Sequence, residues 1–82
     1  MGAGGKLPAE GSLVEVQWLD AVGYIGEELE NAKPAKCITF GKLVSSAKLS
    51  IVIASSLYED GTGDFTVVPR GMLLQIRRIN DV

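Results

Sequence analysis

Hydrophobic and polar residues alternate over 13–19: Val14, Val16 and Trp18 fall on one side, Glu15 and Gln17 on the other. That is the period of a half-buried strand. A second strand is predicted over 35–44, interrupted by Gly41, where a glycine inside a strand pattern marks a bulge or a sharp bend. Residues 45–48 read as a polar turn. Over 49–54 almost every position is apolar or β-branched, the pattern of a central strand covered on both faces or touching a neighbouring subunit. The turn Glu59-Asp60-Gly61-Thr62-Gly63-Asp64 then leads to a short strand over 65–68. Pro69-Arg70-Gly71 interrupts pairing, because proline has no N–H and a fixed φ, and this predicts a single 3-10 turn. In the last strand Met72, Leu74 and Ile76 alternate with Gln75 and Arg77.

Between the first two strands, Val22, Ile25 and Leu29 recur at near-helical spacing, so a short helix competes with a loop over 21–33. Gly23 and Gly26 oppose the helix and the stretch from Asn31 to Pro34 would end it, which favours a long excursion loop. Five strands, a long first loop and a short 3-10 turn before the last strand predict an all-β chain folded as a small five-stranded SH3-like barrel. Closing the sheet would also remove its exposed edges. Residues 1–11 hold four of the ten glycines and Pro8, the composition of a flexible N-terminal tail. Residues 12–80 are then the single domain.

Composition narrows the function more than the fold. A chain of 82 residues buries only about 60–65% of its unfolded surface. Cys37 is the only cysteine, so no disulfide can form within the chain, and a lone thiol fits a reducing, cytoplasmic setting. Self-association is the remaining common remedy for a small core. The 46% hydrophobic content leans that way, towards a homo-oligomer or a protein partner. The net charge is −2 with eight scattered Lys and Arg, not the basic field that draws nucleic acid. No apolar run approaches the roughly 20 residues needed to cross a bilayer, so no membrane association is expected. Lys6 occupies the position where a myristoylation signal needs Ser or Thr.

Candidate chemistry is sparse. There is no histidine, which removes the commonest general base and transition-metal ligand. Cys37 alternates as an inward residue of the second strand and reads as a small apolar filler. The acids of the 59–64 turn lack the alternate spacing and closing glutamate of a calcium loop. Glu27, Glu28 and Glu30 read as a solvated loop face. No catalytic residue, metal or cofactor is therefore assigned, and the chain is not expected to be an enzyme. Trp18 lies on the Val14 and Val16 side, which makes core packing the first reading and partner contact the second. An Ala-Leu-Tyr-Asp-Tyr type segment and clustered aromatics are missing, which argues against classical binding of proline-rich peptides.

Two resemblances add to this. Trp18-Leu19-Asp20, Cys37-Ile38-Thr39-Phe40-Gly41 with Leu43-Val44, Ala54-Ser55-Ser56-Leu57 and Val68-Pro69-Arg70-Gly71-Met72 resemble a group of small uncharacterised proteins of phages and prophages. That resemblance spans most of 13–79 and implies an accessory or assembly role. More narrowly, the stretch from Val67 to Ile76 is similar to the second signature of the Sm-like RNA-binding ring proteins, apart from Pro69 before the Arg-Gly pair. It implies that Arg70 and Gly71 could contact nucleic acid. The candidate contact residues are thus Arg70, Gly71 and Trp18.

Overall fold

A computed structural model describes residues 7–79. They form five antiparallel strands: β1 (Leu13–Asp20), β2 (Ala35–Ser46), β3 (Ser50–Leu57), β4 (Gly63–Pro69) and β5 (Leu73–Arg78). One sheet holds all five in the order β4-β3-β2-β1-β5. The fold is all-β, with two single-turn 3-10 segments, Leu29–Asn31 and Arg70–Met72.

Alternation decides which side chains meet. Val14 and Val16 of β1 pair with Gly41 and Thr39 of β2, and Val16 pairs with Ile76 of β5. Across the sheet, Leu43 pairs with Ile53, and Ile51 with Val68. These residues share the inner face. Val14, Val16, Leu43, Ile51, Ile53 and Val68 are essentially inaccessible, with Leu73 beside them and Leu7, Trp18 and Ile76 packed around. Each such aliphatic side chain contributes about 1.5–3 kcal/mol by leaving water.

The sheet is strongly rolled. Laid flat, β4 and β5 at its two edges would stand four strand spacings apart, about 19 Å. Only Arg70–Met72 joins them, and a 3-10 turn advances about 2 Å per residue. That link is too short to cross a flat sheet, so the edges converge at this end. No ladder joins β4 to β5 among the described residues, and the sheet is not closed. Closure is not what guards the edges. β5 ends in Arg77 and Arg78 and β4 in Pro69, residue types that discourage pairing with a further strand.

Three local features differ from the pattern-based expectation. In the last strand Leu73, and not Met72 or Leu74, is the buried residue beside Ile76, because the register against β1 shifts between Gln17 and Trp18. The irregularity in β2 lies between Leu43 and Ser45, not at Gly41. Gly41 instead permits a close approach: a Cβ there would lie 2.3 Å from the Ala54 carbonyl oxygen. Residues 7–11, grouped by composition with the tail, are in contact with the sheet. Gly11 N–H donates to Leu43 O (2.7 Å), Ser46 N–H donates to Glu10 Oε2 (2.8 Å), and Leu7 packs on the core. A single leucine and two hydrogen bonds hold a segment whose glycine content hides them. Residues 1–6 of the expected tail and residue 80 of the expected domain lie outside the described residues.

Candidate interaction surface

The outer face has a polar half and an apolar half. On β5 and β1, Arg77 faces Glu15 and Gln75 faces Gln17, with Arg77 Nε donating to Glu15 Oε1 in an ion pair. On β2, β3 and β4 the same face carries Ile38, Phe40, Ala54, Phe65 and Val67, and Leu57 joins Phe65 beside Gly63. Ile38, Phe40, Leu57, Phe65 and Val67 are each about half exposed, with Phe40 at 57% and Val67 at 59%. Ala54 is only 4% exposed, being flanked by Lys42 on one side and Phe65 on the other. The result is an apolar strip across three strands, bounded on β2 by the exposed Lys36 and Lys42, that this chain leaves uncovered.

Both ends of the strip are turns. At one end the β3–β4 hairpin is tightly built: Tyr58 N–H donates to Thr62 O (2.8 Å), and Tyr58 Oη donates to Asp64 Oδ2 (3.1 Å). Asp60 Oδ1 accepts from the Thr62 hydroxyl (2.7 Å) and the Thr62 N–H (2.9 Å), and Gly61 takes the left-handed conformation that closes the turn (φ 92°). The Thr62 hydroxyl first, and its amide second, hold the Asp60 carboxyl below the usual carboxylate range, since hydrogen bonds to the charged form favour it. At the other end, the β2–β3 turn presents Lys48 and a largely exposed Leu49.

Arg70 lies behind that second turn and holds it. Its backbone N–H donates to Leu49 O (2.9 Å), its Nε to Ala47 O (2.8 Å) and its Nη2 to Ser46 Oγ (3.1 Å). Much of the guanidinium fork is therefore directed at the protein itself. Gly71 is exposed with open space around it. Trp18 pairs with Leu73, the residue after the turn, so it neighbours Arg70–Met72 along the chain fold. It is half-buried against the core, and its Nε1–H donates to Thr39 Oγ1 (2.9 Å). Trp18 thus packs at the base of the turn, while the Arg70 side chain reaches away to 46–47. The three candidates adjoin one another without converging on a shared cleft.

A separate cavity of about 300 Å³ lies between the long β1–β2 loop and the second 3-10 turn, lined by Val22, Tyr24, Lys33, Pro34 and Met72 among others. Tyr24 Oη donates to Lys33 O (2.9 Å) and straps the loop across its base. Cys37 is partly buried on the inner face, with its Sγ 3.8 Å from Ala35 O. No group of three or more potential metal ligands occurs among the described residues.

Pattern reasoning named the turn and the tryptophan but passed over the apolar strip. The signal was present: Ile38 and Phe40 alternate with Cys37 and Thr39, and Phe65 and Val67 with Thr66 and Val68, so the outer face of β2 is apolar between Lys36 and Lys42 and neither face of 65–68 carries a charge. Comparison of the chain with protein-family models, curated proteins and solved structures gave no match.

Proposed function

We propose that the chain is a protein-interaction or assembly module built on an SH3-like barrel. The observation that carries this is the apolar strip formed by Ile38, Phe40, Leu57, Phe65 and Val67. A small domain gains nothing by wetting five large apolar side chains on one face of its sheet, and such patches mark contact surfaces. Other features support the barrel reading: the rolled five-strand sheet, the long loop after β1 and the 3-10 turn before β5. The resemblance to small phage and prophage proteins supports an accessory or assembly role in the cytoplasm, without catalysis and without a cofactor.

The test is footprinting with a photoactivated carbene on the full chain, dilute and isolated, and again in extract of the cells that naturally make it. The reading expects Phe40, Phe65 and Val67 to be labelled in the first state and protected in the second, with protection lost in Val67→Lys. Equal labelling in both states would end it.

A further inference from the structure

We propose that the free edge of β2, beside the apolar strip, takes an extended segment of another protein as an added strand, one with large apolar residues at alternate positions and a carboxylate at each end. This rests on the interaction reading above and names the partner's chemistry.

Backbone direction exposes the edge. In an antiparallel ladder the N–H and C=O of one residue point to the same side, and those of its neighbours to the other. Leu43 N–H donates to Ser12 O (2.9 Å) and Leu43 O accepts from Gly11 N–H (2.7 Å), so residue 43 turns both groups towards the start of β1. By alternation Cys37, Thr39 and Gly41 do the same and serve the ladder with β1. The same count along β1 sends Leu13 towards β5, where its carbonyl accepts from Ile79 N–H (2.8 Å). Lys36, Ile38, Phe40 and Lys42 point away from β1. Lys42 meets Ala54 of β3, where the β2–β3 ladder ends. Past Ala54, β3 shifts register against β4 and no longer pairs with β2. Lys36, Ile38 and Phe40 therefore have no strand partner on that side among the described residues. An open row of donors and acceptors is a template for one more strand. Such a strand lies in line with the sheet and needs no flat or concave face.

The side chains on this edge select the segment. Lys36, Ile38, Phe40 and Lys42 share the outer face and are all exposed. An added strand brings alternate side chains of its own onto that face, and large apolar ones there cover Ile38 and Phe40. Lys36 and Lys42 stand six positions apart, about 20 Å. Neither has a carboxylate within ion-pair distance among the described residues, and Glu15, on the same face of β1, is engaged by Arg77. Lysines at an edge deter indiscriminate pairing. A carboxylate at each end of the segment, opposite Lys36 and on the diagonal from Lys42, turns that deterrent into attraction.

The experiment is titration of the isotope-labelled full chain with the capped peptide Glu-Thr-Val-Thr-Val-Thr-Glu, read by amide shifts and hydrogen exchange. Before peptide is added, the amides of 37, 39 and 41 should exchange slowly and those of 36, 38 and 40 quickly; slow exchange at the second set overturns the open edge. Saturable binding at about 1 mM or below should then slow 36, 38 and 40. The same peptide with lysine at both ends should bind about tenfold more weakly, since two attractive pairs become repulsive. Of two peptides N-methylated at alternate residues, one in each phase, only one should lose binding, because only one phase blocks the donors facing β2. No saturable binding at about 10 mM, or equal binding of both methylated peptides, overturns the added strand. If carbene labelling in extract shows the strip protected while 36, 38 and 40 still exchange quickly there, the added strand is refuted and the interaction reading stands. Absence of protection in extract removes both.

Discussion

Gly41→Ala offers a sharp test of how the sheet is rolled. Gly41 is on the inner face opposite Val14. A Cβ added there would lie 2.3 Å from the Ala54 carbonyl oxygen, 2.8 Å from Ile53 Cγ2 and 2.9 Å from Ala54 C. Two of these three atoms are backbone of β3, which is paired on both sides, so no rotamer change relieves the contact. Relief requires β2 and β3 to separate by about 1 Å, and overpacking of that kind costs about 1–3 kcal/mol or more. Replacing glycine in a strand returns about 0.5–1 kcal/mol of backbone entropy. The net loss is about 2 kcal/mol, a large part of the roughly 5 kcal/mol expected of so small a domain. At about 4–8 °C per kcal/mol, the melting temperature should fall by about 8–16 °C. Urea unfolding followed by the fluorescence of Trp18, the only tryptophan, measures this directly. Gly71→Ala is the control: its Cβ would meet nothing within 4 Å and its φ lies outside the left-handed region, so stability should be unchanged or rise by about 0.5 kcal/mol. A Gly41→Ala protein within 0.5 kcal/mol of the parent, on the order of measurement scatter, would refute the close approach of β3 to Gly41.

Arg70→Ala should cost about 1–2 kcal/mol, because it removes two side-chain hydrogen bonds that hold the β2–β3 turn and one good bond contributes about 1 kcal/mol. Amide exchange should quicken at 46–50, and no change there would exclude the turn-holding role. Leu43→Ala, at a fully buried position, should cost about 2–5 kcal/mol in the same urea assay; a loss below 1 kcal/mol would place Leu43 outside the core. The Asp60 carboxyl, followed by carbon-detected NMR, should titrate below the usual carboxylate range. Since its folded value is depressed, its contribution to hairpin stability is present above the unfolded value and lost as pH falls through the lowered one. Thr62→Val should raise the titration point, because the hydroxyl is the leading cause; an unmoved titration would assign the shift elsewhere.

The strands were legible because the side-chain period of two is a local property. Val14, Val16 and Trp18 announce the inner face of β1 without reference to any other residue. The one-turn break at 70–72 was equally legible, since proline lacks the donor a ladder needs. Arg70 was a different matter. Its identity suggested a ligand contact, yet what it touches is a turn more than twenty residues earlier, and no local pattern encodes that. The apolar strip was half legible, because Ile38 and Phe40 stand on the face opposite Cys37 and Thr39 where a half-buried strand would be polar throughout. That Phe65 and Val67 share that face depends on the register of β3 against β4, which counting along the chain cannot supply.

What the chain determined by itself is therefore an all-β domain with these five strands, the long loop after the first and the 3-10 turn before the last, because alternation, glycine and proline act over a few residues. What only the tertiary structure decided is how far the sheet rolls, that it stays open, and which side chains end up together outside the core. Those outcomes depend on cross-strand register and on the close approach at Gly41. Both arise from packing between residues distant in sequence, where one misplaced residue would send every side chain to the opposite face.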